Sequence, residues 1–142
     1  MKLSGRERNW LRDILEALIP RGGDERYPES ALDTGADKIF EEMVLYLPAA
    51  TAIGLRASLF FIEFMGPLLG LRRRARFSRL APSDREACLS ALSKSDTYFT
   101  RQMVLLHKSV ACLGWAADER VRTALGLNLP PRFVQRDTEA RP

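Results

Sequence analysis

The chain has 142 residues, 46% hydrophobic and 28% charged, with 22 Lys+Arg against 18 Asp+Glu and a formal net charge of +4. A chain of this length suits one domain and can bury roughly 68–70% of its unfolded surface, so it needs no metal or disulfide to hold a core. The balance excludes a disordered tail, a collagen-like fibre and a small disulfide scaffold, and the net charge is too small to announce nucleic-acid binding by itself.

In chain order, Ser4 and Glu7 have the spacing of a capping box, followed by Trp10, Leu11, Ile14, Leu15, Leu18 and Ile19 at helical period. Pro20-Arg21-Gly22-Gly23 stops this first helix, and a polar surface loop follows through Pro28. A second helix is predicted over Ala31–Leu47, with Leu32, Ile39, Phe40, Met43, Val44 and Leu47 inward. A third, Ala49–Met65, is apolar all round except for Arg56 and Glu63, and such a helix needs burial on nearly all sides. Eighteen residues between Pro48 and Pro67 are marginal for a membrane span of roughly 30 Å, and the two charges add to the cost, so no transmembrane segment is expected.

Arg72-Arg73-Arg74-Ala75-Arg76-Phe77-Ser78-Arg79 carries five arginines. It reads either as a solvated linker with cations near a helix C-terminus or as a phosphate or anionic-lipid contact. Pro82-Ser83-Asp84-Arg85-Glu86 is the clearest helix start, with Ser83 and Glu86 at capping-box spacing, and that helix runs to about Ser93. A longer one spans about Asp96 to Trp115, with an expected inward stripe of Phe99, Met103, Leu106, Val110 and Leu113. A last helix begins near Asp118 and stops at Gly126, Pro130-Pro131 fixes an extended exit, and residues 135–142 form a flexible tail. The whole reads as all-α, a single-domain irregular bundle of about six helices over residues 1–134. No targeting segment opens the chain, which points to the cytoplasm, or to the periplasm if a partner carries it out.

Groups for catalysis are scarce. His107 is the single histidine, set in a helix beside Leu105 and Leu106, and reads as a partly buried helix residue rather than a base. Cys88 and Cys112 read as small buried hydrophobes, with no second pair to complete a metal site. Gly22-Gly23 follows a helix rather than a strand, so no cofactor loop is present, and Glu41-Glu42 reads as part of a solvated face. No catalytic, cofactor-binding or metal residue is therefore assigned. Of the 22 cations eighteen are Arg and four Lys. That bias suits interfacial ion pairs, and a GC-rich genome produces it as well.

Phe77-x-x-Leu80-x-x-x-x-Arg85-Glu86, Leu89, Ser95, Arg101, Leu106-x-Lys108, Trp115-Ala116-x-Asp118, Ala124-Leu125-Gly126 and Pro130-Pro131 form a set of short matches. With Leu15-x-Ala17-Leu18-Ile19-Pro20 and Ala31-x-x-x-Gly35-Ala36-Asp37, the set resembles the small-subunit family of bacterial FAD-dependent sugar and alcohol dehydrogenases, the gluconate 2-dehydrogenase subunit 3 group. A related helical segment precedes the flavin domain in some long-chain alcohol oxidases. The matches span most of residues 10–131 without one diagnostic motif. Trp115 stands where the family pattern leads one to expect tyrosine, and the twin-Arg leader of many exported members is missing.

The resemblance implies a non-catalytic accessory subunit that supports folding or flavin loading of a catalytic partner of the glucose–methanol–choline type. FAD then belongs to that partner, in a hetero-oligomer that leaves room for an electron-transfer subunit. Candidate interface residues are Phe60, Phe61, Phe64, Met65, Arg72, Arg73, Arg74, Trp115, Pro130 and Pro131. From the pattern alone, the aromatics of the third helix fit a bundle core as well as an interface. The alternative is a basic helical module that binds nucleic acid or an anionic surface through Arg72–Arg79, although Phe77 alone is interleaved there for base stacking. A weaker third idea is a ligand pocket near His107, Cys112 and Trp115.

Overall fold

A computed structural model describes residues 2–127. Helix α1, Gly5–Leu18, starts with the capping box read from the sequence: Ser4 Oγ accepts the Glu7 N–H (3.3 Å), and Glu7 Oε2 accepts the Ser4 N–H (2.7 Å). Leu11, Ile14 and Leu15 are its buried face, with Trp10, Leu18 and Ile19 half-buried beside them.

The loop after α1 is closed by hydrogen bonds rather than loose. Gly22 N–H donates to Pro28 O (2.9 Å) and Ala31 N–H to Ile19 O (3.1 Å), while Asp33 accepts from Ser30 N–H and pairs with Arg21. This local network corrects the predicted start of the second helix. Residues 31–35 form turns, because Ser30 and Asp33 bond each other's backbone and Gly35 takes a left-handed φ of 77°. Helix α2 is therefore Ala36–Tyr46, with Ala36, Phe40 and Val44 buried and Leu47 exposed.

The apolar third helix is longer than predicted. α3, Ala49–Phe60, continues through a π turn at Phe61–Met65 into α4, Gly66–Leu71, making one rod over Ala49–Leu71 of 23 residues. Pro67 explains the π turn: it has no N–H to bond the Glu63 carbonyl, and its ring would clash there in a regular α-helix. Widening the preceding turn moves that carbonyl away, and the Gly66 N–H is shared between the Phe61 and Ile62 oxygens. The rod ends at Arg72, whose left-handed φ of 53° turns the chain back.

A short 3₁₀ turn, Phe77–Arg79, pins the returning loop. Helix α5, Pro82–Ser93, begins two residues earlier than a capping box with Ser83 as N-cap requires. Pro82 occupies the first turn with Ala81 as N-cap, so Ser83 sits inside the helix and no side chain caps it. Helix α6 is Tyr98–Ala117, and its inner face is Thr100, Val104, His107, Val110, Ala111 and Gly114. The expected stripe is thus displaced: Val110 is buried, Met103 and Leu106 are half-buried, and Phe99 and Leu113 are exposed. Helix α7, Glu119–Ala124, is capped by the Asp118 carboxylate and ends before Gly126 at φ 71°.

The described residues are all-α. α1 packs on α2, α3, α5 and α6, α2 on α6, and α4 on α5. One contiguous core runs from Leu11 and Phe40 through Leu59, Ile62 and Phe77 to Leu92 and Ala111. The expected tail, 135–142, lies outside the described residues, as do Pro130 and Pro131.

Candidate partner-binding face

Both charges of the rod are paired within the chain, Glu63 buried and Arg56 at its flank. Arg56 Nε and Nη2 donate to Glu7 Oε1 and Oε2 (2.7 and 3.1 Å), a two-pronged pair that ties the rod to α1. Glu7 is buried, which alone would raise its pKa. The Arg56 hydrogen bonds and the Ser4 donors outweigh burial and hold it below the usual glutamate value. Glu63, also buried, accepts from Ser78 N–H (3.0 Å) and Ser78 Oγ–H (2.6 Å), which fastens the loop after the rod beneath it.

With Glu63 buried and Arg56 folded back onto Glu7 at the flank, the opposite side of the rod is left apolar. Ala52, Leu55, Leu59, Ile62, Gly66 and Pro67 face the core, whereas Ile53, Phe60, Phe64, Met65, Leu68 and Leu69 are each 41–57% exposed. The requirement that this helix be buried on nearly all sides is not met: one side is core and the other is surface. By length and composition the rod is also sufficient to cross a membrane, because it reaches past Pro67 to Leu71.

The exposed rings are ordered against one another. Trp10 of α1 meets Phe60 and Phe64 edge to face (centroids 5.1 and 5.7 Å), and Phe60 and Phe64 stack at 6.2 Å. Arg76 lies over the Phe64 ring at 5.2 Å. Beside them Phe64, Leu68, Arg74, Ala75, Arg76 and Arg79 line an open cleft of about 630 Å³. Ile53, Arg56, Ala57 and Phe60 line a smaller one of about 250 Å³ farther up the same rod.

The residues named from sequence as interface candidates fall in three neighbourhoods. Phe60, Phe64 and Met65 are on the exposed side of the rod, and Arg74 is on the cleft wall. Phe61 is half-buried against Phe99 (5.5 Å, edge to face), Arg72 makes the turn, and Arg73 is paired with Asp84 (2.9 Å). Trp115 is elsewhere: its Nε1–H donates to Glu29 O (3.3 Å) and its ring meets Tyr27. Trp10, Leu68, Arg76 and Arg79 are not among the interface residues expected from sequence. Trp10 belongs to the predicted α1 stripe, and Leu68 lies beyond the expected end of the helix.

His107, Cys112 and Trp115 are not brought together. The His107 ring is fully buried and stacked on Phe40 (5.5 Å), Cys112 is exposed, and Trp115 packs on the loop. Exposure of Cys112 corrects its expected burial: at the outer side of α6 it lies beside exposed Leu113. Cys88 is buried, and burial pushes its thiol up to about 11. Phe77 is fully buried as well, so the aromatic interleaved among the arginines faces the core. Comparison with family models, with curated proteins and with solved structures found no match.

Proposed function

We propose that this chain is a non-catalytic accessory subunit whose rod binds a catalytic partner, an FAD-dependent dehydrogenase of the glucose–methanol–choline type. The observation that carries the binding role is the exposed Phe60–Phe64–Leu68 side of an otherwise core helix, bordered by arginines. Contiguous apolar surface of this kind, rimmed by polar groups, marks interaction sites, and aromatic, Met and Arg side chains are enriched at interface centres. The identity of the partner rests on the short sequence matches alone, with FAD held by the partner and not by this chain.

The rod fits a protein surface better than lipid in this reading, since Arg56 and Glu63 are hydrogen-bonded to Glu7 and Ser78 of the same fold. The basic-module alternative is the less well supported. Arg73 is taken by Asp84 and Phe77 is buried, so the arginine stretch offers no ring of its own for a base to stack on.

The test is affinity capture of the chain from extract of its native cells, followed by an absorbance scan of the eluate. A co-eluting protein of several times its mass with flavin absorption is the expected result. A colourless monomer, or a partner without flavin, would refute the assignment.

A further inference from the structure

The cleft at the end of the rod has two chemistries in one place. Its floor is apolar, Phe64 and Leu68, and continuous with Phe60 and Ile53 up the rod. Its wall is cationic, Arg74, Arg76 and Arg79, exposed and with no carboxylate partner among the described residues, while neighbouring Arg73 takes Asp84 and Arg85 takes Asp13. We infer that this face receives an acidic amphipathic segment of the partner protein, its apolar residues on Phe60, Phe64 and Leu68 and its carboxylates on Arg74, Arg76 and Arg79. This rests on the reading that the rod binds a protein, and adds which chemistry is recognised and where.

Three observations select the occupant. Guanidinium groups recognise carboxylates through two parallel hydrogen bonds, and unpaired arginines beside an apolar floor are complementary to acidic, not basic, segments. The stripe from Ile53 to Leu68 extends about 22 Å at 1.5 Å per residue, the length of a helix of about four turns laid in a groove. The cleft is open along one side, whereas small-molecule sites enclose most of their ligand. Two nearer occupants have the wrong charge. Residues 128–142 carry Arg132, Arg136 and Arg141 against Asp137 and Glu139. A second copy meeting this face symmetrically would set arginine against arginine.

The experiment compares three forms of the full chain as bait in native extract treated with nuclease: wild type, Arg74→Glu/Arg76→Glu/Arg79→Glu, and Arg74→Lys/Arg76→Lys/Arg79→Lys. Thermal unfolding of each verifies that the baits are folded. The charge-reversed form is expected to lose at least tenfold of the captured partner. The lysine form keeps the charge but not the two-pronged geometry and is expected to retain clearly more partner than the charge-reversed form, and a zero-length amine-to-carboxyl cross-linker should join those lysines to Asp or Glu of one partner segment. Equal capture by wild type and charge-reversed bait overturns the inference and leaves the accessory-subunit reading standing, and capture seen only in a parallel extract without nuclease overturns both. Absence of any captured protein overturns both.

Discussion

At the scale of single residues, His107 shows how an ionisable group becomes part of a core. Its Nδ1 lies 2.8 Å from the Met103 carbonyl and so carries the proton it donates there. Its Nε2 faces Ser58 Oγ at 3.4 Å, but that hydroxyl gives its own proton to Leu55 O (2.6 Å), so nothing near Nε2 welcomes a charge except one hydroxyl oxygen. Burial therefore pulls the imidazole down to about 4, only partly offset by the Met103 hydrogen bond. With the folded value below the unfolded one, the native state binds fewer protons. The stabilisation is complete above pH about 6.5 and is lost as pH falls from there toward 4. The loss comes to about 3 kcal/mol, measurable as a falling urea midpoint between pH 7 and pH 4.5. Glu7, Asp33 and Asp118 have lowered folded values, so their contributions fade only below the ordinary carboxylate range. A His107→Leu variant should flatten the curve between pH 6.5 and 4.5. If the wild-type midpoint is already flat there, burial of a neutral imidazole is the wrong description.

Between elements, α6 approaches the start of α2 closely. A Cβ built on Gly114 would sit 2.9 Å from both Cα and Cβ of Ala36, so the crossing exists only because residue 114 has no side chain. Alanine would gain about 1 kcal/mol in helix propensity, but the clash involves backbone that has no free direction to move. Gly114→Ala should therefore destabilise by about 1–2 kcal/mol net. Ala36→Gly should not restore it, because the added methyl would still press on the main chain of residue 36. Gly54→Ala, with nothing within 4 Å of the new methyl, should instead stabilise by up to about 1 kcal/mol. Paired denaturant midpoints decide it, and a stabilised Gly114→Ala would show that the helices stand farther apart. This crossing also explains which parts of the fold are legible in the sequence. Ser4 and Glu7 announce α1 because a capping box is local, and Leu11, Ile14 and Leu15 repeat at one period. The inner face of α6 escapes a reading by apolar period because Thr100, His107 and Gly114 stand on it, Gly114 for want of room against Ala36, while Phe99 and Leu113 lie outside. Local rules end the rod at Pro67, whereas a π turn carries it through.

For the molecule as a whole, the exposed side of the rod is only half legible. The excess of apolar residues in α3 is plain, but which ones the core takes depends on Arg56 reaching Glu7 and Glu63 reaching Ser78, contacts far apart in sequence. The arginine stretch reads as a linker or a basic contact, yet it is anchored at several points. Arg73 N–H donates to Pro67 O, Phe77 is inserted into the core, Ser78 is held by Glu63, and Arg85 Nη2 donates to Ser78 O (2.6 Å). Five arginines in eight residues would be an abundant target for trypsin in a loose chain. Here the peptide bonds from 76 to 80 can be drawn into a protease only by pulling Phe77 out of the core. Cleavage in that part of the stretch should follow the population of globally unfolded chain, its logarithm rising with urea at the slope of the equilibrium transition. Cutting there at a rate indifferent to urea would show a locally opening loop. With the steep dependence, the sequence most open to attack on paper becomes a reporter of whether the entire fold is intact, and a cell that degrades unassembled chains would reach this segment last.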